Sequence, residues 1–108
     1  MTKKVFTARY NYGMSTEEFQ KITSSVASKF LKVPGLHWKI WLLNEDRKEA
    51  GGVYLFESAR DLQQFLNSNL FAALTTNPAF TNLQINTFDV AEATTVITGA
   101  RLMSSLVA

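Results

Sequence analysis

Cysteine is absent from the 108 residues, which excludes disulfides, zinc–thiolate sites, iron–sulfur clusters and cysteine nucleophiles, and several enzyme classes with them. Histidine occurs once, as His37. A lone imidazole makes no metal site by itself, and the carboxylates show no ligand-like spacing around it, so no metal is expected. Proline is limited to two positions and glycine to five, too few for an internal linker or a low-complexity block, and no repeat is visible. No run approaches the roughly 18 uninterrupted apolar residues that a membrane span requires. Met1-Thr2-Lys3-Lys4 leads into an alternating segment instead of a signal-peptide apolar block, so a cytoplasmic protein without membrane contact is expected. Excess charge of one sign is lacking too. Eleven Lys+Arg oppose nine Asp+Glu, a formal charge of +2, and the basic residues form no stripe, which argues against nucleic acid as a partner.

Aromatic residues, by contrast, make up 12% of the chain, with Trp38 and Trp41 only three positions apart. The 46% hydrophobic content at this length suits one core and one domain spanning residues 1–108. Residues 4–11 alternate, with Phe6, Ala8 and Tyr10 on one side and Val5, Thr7 and Arg9 on the other, which predicts a strand with one buried face. Ser15 and Glu18 have capping-box spacing, and Met14 and Phe19 sit where a hydrophobic staple packs. Phe19, Ile22, Val26 and Phe30 then give a helical apolar stripe that Pro34-Gly35 ends.

In residues 36–43 the period becomes two: Leu36, Trp38, Ile40 and Leu42 are expected on one face, and His37, Lys39 and Trp41 on the other. The polar stretch 44–49 reads as a hairpin connection to a third strand at 52–57, where Val53 and Leu55 oppose Tyr54 and Phe56. Ser58 caps a second helix with Leu62, Phe65 and Leu66 facing inward. Asn67-Ser68-Asn69 interrupts it, a short turn follows over residues 70–74, and Asn77-Pro78 breaks that. Residues 83–90 alternate as a fourth strand. The tail 91–101 reads as a short helix or an added edge strand, and Val96, Ile97 and Leu102 are apolar enough that it is expected to pack on the sheet or a partner subunit.

The order β-α-β-β-α-β, with right-handed crossovers, gives an α+β, ferredoxin-like antiparallel sheet with both helices on one face. The other face carries large apolar side chains and has to be covered, and a two-fold homodimer would cover it.

Three blocks, Pro34-Gly35-Leu36-His37-Trp38-Lys39-Ile40-Trp41, then Glu49-Ala50-Gly51-Gly52-Val53-Tyr54-Leu55-Phe56, then Phe88-Asp89-Val90, resemble the YdhR-type mono-oxygenase family. The resemblance implies a dimeric α+β barrel. It also implies an oxygenase of aromatic, phenolic or quinone-like substrates that uses molecular oxygen with no metal, flavin or other cofactor. Trp38, Lys39, Trp41, Glu49 and Tyr54 match family-pattern positions. His37 stands where the family carries an apolar residue, and residues 70–81 exceed the family's second-helix region.

Oxygenation without a cofactor requires a phenol-like or enol-like substrate to lose a proton, so that its anion can reduce oxygen in a dry site. In that chemistry Trp38 and Trp41 would stack on a planar substrate, Lys39 would stabilise its oxyanion and Tyr54 would hydrogen-bond a carbonyl. Glu49 has three readings: catalytic base, ion-pair partner of Lys39, or solvating charge of the hairpin. His37 suits a general base or a substrate-facing position at neutral pH, and equally an exposed place after the turn. Neighbours in a strand alternate, so Trp38 and Trp41 cannot both line one pocket without a bulge. Core or interface packing is the plainer role for either tryptophan, and a surface cation the plainer role for Lys39. Gly51-Gly52 marks a bulge or a close backbone approach instead of a phosphate cradle.

The sequence is also compatible with haem handling through His37, or with a module that only sequesters an aromatic metabolite. RNA binding is disfavoured, because Gly51-Gly52-Val53-Tyr54 lacks a basic-glycine-aromatic opening and Glu49 and Glu57 flank the strand.

Overall fold

The computed structural model describes residues 2–102. Four strands, β1 (Lys4–Tyr12), β2 (Leu36–Asn44), β3 (Glu49–Phe56) and β4 (Phe80–Asp89), form one antiparallel sheet in the order β2-β3-β1-β4. Helices α1 (Thr16–Val26), α2 (Ala59–Leu66) and α3 (Asn69–Thr76) lie on one face, and α4 (Glu92–Ile97) follows the last strand. The architecture is the α+β ferredoxin-like one that the element order predicts. Among the described residues no helix is long and apolar enough to cross a membrane.

Period two places Phe6, Ala8, Tyr10 and Tyr12 of β1 in the core. The Ser15 hydroxyl accepts from the Glu18 amide at 3.1 Å, and Met14 packs against the cluster containing Phe19, completing cap and staple. The stripe that follows is not one continuous helix. Ser25 Oγ donates to the Ile22 carbonyl at 2.7 Å, competing for the last-turn acceptor, and Ala27–Lys32 tightens to a 3₁₀ segment. Gly35, at φ +77°, makes the turn into β2 that side chains with a Cβ resist.

Asn67-Ser68-Asn69 both ends and starts a helix, since Ser68 accepts from the Phe71 amide at 3.3 Å and α3 runs a full two turns. Phe65 is the hub of the core, with Phe6, Phe30, Tyr54, Phe56 and Phe71 all within 6.3 Å between ring centroids.

Three expectations need correction. Leu36 and Trp38 do not share a face: the pairing shifts from Leu36↔Phe56 to Trp38↔Leu55, so His37 is a bulge residue and every side chain after it changes phase. Leu36 joins the core under the helices, whereas Trp38 faces the opposite side with Val5 and Leu55. Strands β3 and β4 begin three residues earlier than alternation suggests. For β4 the cause is a register shift opposite Arg9–Asn11, with Asn82 at φ +56°, which breaks the alternation before residue 83. The tail is a helix that docks on the face opposite α1–α3, but Val96 and Ile97 are 59% and 82% exposed. A six-residue helix has one inner face, and Thr95 is on it, lining a hollow with Val5, Leu55 and Phe88.

Candidate functional site

α1 approaches the sheet at Phe19, which stacks on Tyr12 at 4.4 Å, but its later residues stand away from α3. Between them, above the centre of the sheet, lies a cavity of about 160 Å³. Ile22, Thr23 and Val26 form one wall, Leu70, Phe71 and Leu74 the other, and Tyr10, Lys39, Trp41 and Tyr54 the floor, with Phe30 and Phe80 at the ends. A void of this size holds about one benzene-like ring.

Lys39 gives the cavity its chemistry. It pairs with Tyr54 across β2 and β3, on the helix side of the sheet. Its Nζ lies 3.4 Å from the ring centroid of Trp41, 3.8 Å from Phe30 and 4.6 Å from Tyr54. The three rings exist in this arrangement because β2 brings Trp41 one full pleat beyond Lys39 and the 3₁₀ segment lowers Phe30 onto both. Gly52 makes the remaining room: a Cβ there would stand 2.7 Å from Lys39 Cε and 3.1 Å from the Tyr54 ring.

Among the described residues no carboxylate lies within ion-pair distance of Lys39, whereas Lys3 has two and Lys4 and Lys21 have one each. Aromatic faces attract a cation but replace only part of its lost hydration. Burial therefore lowers the Lys39 pKa to about 7. Burial acts oppositely on the phenols, pushing Tyr10 up to about 12 and Tyr54 higher still, with Tyr10 adding to the Tyr54 shift. Both hydroxyls therefore stay protonated near neutral pH and can donate. Asn77, also on the cavity wall, accepts from the Ala79 amide at 2.9 Å through Oδ1, which leaves its amide N–H group free to donate.

Of the residues singled out in the sequence, Lys39, Trp41 and Tyr54 meet in this cavity. Trp38, Glu49 and His37 do not. Trp38 is on the opposite face, where its Nε1–H donates to the Arg101 carbonyl at 2.9 Å. Glu49 sits at the far end of the hairpin, paired with Asn44 and 3.9 Å from Arg9, so it is no partner of Lys39. His37 Nε2 lies 3.3 Å from Glu57, which Lys3 also approaches at 3.5 Å. Tyr10 and Asn77 carry no mark of a site in the sequence, where they read as a strand residue and a helix break. Tyr10 reads as a core residue of β1, which it is, and only the folded chain brings it beside Tyr54 on the cavity floor. Among the described residues no cluster of three His, Asp or Glu side chains that could hold a metal occurs.

The fold is shared with several solved structures. SnoaB from Streptomyces nogalater, a cofactor-independent oxygenase, is 16% identical, with 85% of this chain and 96% of that one aligned at a TM-score of 0.69. NE2512 from Nitrosomonas europaea, a protein of unknown function, is 19% identical over 84% and 91% of the two chains, with a TM-score of 0.71. MhuD from Mycobacterium tuberculosis, a heme degrader, is 20% identical over 82% and 95%, with a TM-score of 0.64. At these identities the likeness establishes the fold alone. No curated protein matches the sequence itself. A family model does, over residues 6–101, nearly the whole chain, and the protein therefore belongs to the family described as Putative mono-oxygenase ydhR.

Proposed function

We propose that the protein is a mono-oxygenase that needs no metal or flavin and oxidises a phenolic or quinol-like compound presenting one aromatic ring to the cavity. One observation carries this reading: an amine with a pKa of about 7 stands in an aromatic cavity, with no carboxylate among the described residues to neutralise it. In its neutral form Lys39 accepts the substrate's phenolic proton. The resulting ammonium then holds the oxyanion, while the Tyr10 and Tyr54 hydroxyls donate to a second substrate oxygen. The electron-rich anion reduces oxygen, one oxygen atom enters a ring carbon as a carbonyl, and the other leaves as water with the two hydrogens removed. Trp41 and Phe30 wall the ring and exclude bulk water.

Membership of the family and the fold shared with a cofactor-independent oxygenase support this reading. The fold shared with a heme degrader favours haem handling at the same coarse level. His37, however, is directed to Glu57 outside the cavity, and the cavity suits one ring and not a porphyrin. Oxygen uptake with anthrones, hydroquinones and simple phenols is the direct test; absence of uptake with all of them would leave a binding module.

Gly52 offers a subtler test. In Gly52→Ala the new methyl group displaces the Lys39 stem, and turnover should fall about tenfold while substrate stacking on Trp41 persists. An unchanged rate would mean that the position of Lys39 is immaterial.

The functional unit in this proposal is a homodimer. On the face opposite α1–α3, Ile40 is 53% exposed, Leu42 37% and Phe88 57%, alongside Val96 and Ile97 of α4, and such a patch is costly in water. Sedimentation equilibrium at micromolar concentration should give twice the chain mass. A monomer would remove the dimer from the proposal.

A further inference from the structure

The same cavity supports a second chemistry that requires no oxygen. We infer that Lys39 Nζ is a covalent capture site for small aromatic aldehydes, which it binds as an imine between α1 and α3. Imine formation needs an unprotonated amine, a cavity that fits the carbonyl compound, and proton donors beside the leaving oxygen. Each is present. Lys39 points into a cavity sized for one ring and, among the described residues, has no carboxylate to hold it as an ammonium. The other lysines with described partners are engaged elsewhere: Lys3, Lys4 and Lys21 with carboxylates, and Lys48 with the Met14 carbonyl at 3.2 Å. The low-polarity surroundings also favour the uncharged amine near neutral pH. Tyr10 and Tyr54 line the same space and remain protonated, so a phenol can hand a proton to the departing oxygen.

The step balances without a redox partner. The amine lone pair forms a C–N bond to the carbonyl carbon as the carbonyl π bond opens. The carbinolamine then loses its oxygen as water, which carries away the two protons the amine began with. Aldehydes are favoured over ketones because rings at 3.4 and 3.8 Å from Nζ leave room for a carbon with one substituent. The titratable side chains around the amine are Tyr10 on β1 and Tyr54 on β3, with His37 two residues away on β2 and directed to Glu57; the α1 and α3 walls contribute none.

The inference shares Lys39 with the oxygenase reading but not its reaction, so the two fail separately. The intact protein is treated under argon at pH 7 with benzaldehyde and sodium cyanoborohydride, which traps the imine as a secondary amine, and is mapped by peptide mass spectrometry. Lys39 should gain the mass of the aldehyde less one oxygen atom. Its labelling should be at least about tenfold faster than that of any exposed lysine, whose ordinary pKa is near 10.4. The chain's α-amino group, with an ordinary pKa of about 7.7–8.0, serves as an internal rate standard. Excess phenol should protect Lys39 alone. Label spread over Lys21, Lys29 and Lys32 with Lys39 unmodified would overturn the inference, and so would undiminished labelling in Lys39→Arg. Because the wild-type map is decisive by itself, misfolding of a variant would not obscure the result.

Discussion

Lys39→Met is expected to lower turnover of an accepted phenolic substrate by roughly 10²- to 10³-fold at pH 7, the usual cost of removing one group that stabilises a developing oxyanion. Binding should change far less, because the methionine still packs against Trp41 and Phe30 and the charge acts mainly as negative charge develops. In the wild type the rate should rise with pH through about 7, as the Lys39 amine loses its proton, and the variant should lack that limb. Stability should rise with pH as well, over a higher range. The folded-state pKa lies below the unfolded value, so between about 7 and 10.4 the unfolded chain binds more protons and stability rises with pH; below about 7 both states are protonated and the burial cost is fully present. Replacing the cation with an apolar side chain should therefore stabilise the protein at neutral pH, on the order of 1–4 kcal/mol. Oxygen uptake and thermal melts across pH 6–10 check both halves. A variant that is fully active would return Lys39 to a structural role.

Phe65→Ala should give the largest loss of stability, about 3–5 kcal/mol by urea denaturation. Phe65 is 3% exposed and touches five other rings, so its removal opens a hole that rigid neighbours cannot close. For a domain whose whole stability is 5–15 kcal/mol, much of the population would unfold on warming. A loss below about 1 kcal/mol would mean that the aromatic cluster repacks around the gap.

Much of this architecture is legible in the chain because its signals are local. Ser15 and Ser58 each announce a helix start by the side-chain acceptor they place before it, and the alternation of Phe6, Ala8 and Tyr10 fixes the inner face of β1. Lys39, Trp41 and Tyr54 are legible as candidates for the same reason: they share a face by parity and sit in register across one hairpin. What the chain hides is phase. A bulge at His37 leaves no mark on hydropathy, since Leu36 and Trp38 are both apolar, and so Trp38 reads as a neighbour of the wrong side chains. Distance between elements is equally hidden. Tyr10 and Asn77 join Lys39 only through the gap between α1 and α3, and no spacing rule predicts a gap. Glu49 lies five residues before Tyr54 on the other face of β3, so parity and strand length together carry it away from the amine.

The bulge at His37 also has a spectroscopic consequence. Trp41 is in contact with the cavity and with the Lys39 ammonium, whereas Trp38 is pinned to the Arg101 carbonyl on the other side of the sheet. The two indoles are thus separate optical probes built into one strand. Emission remaining in Trp38→Phe should respond to an aromatic compound entering between α1 and α3 and to the protonation of the amine beside it. In Trp41→Phe it should respond instead to what happens at the opposite face, including release of the C-terminal helix or contact with a second copy.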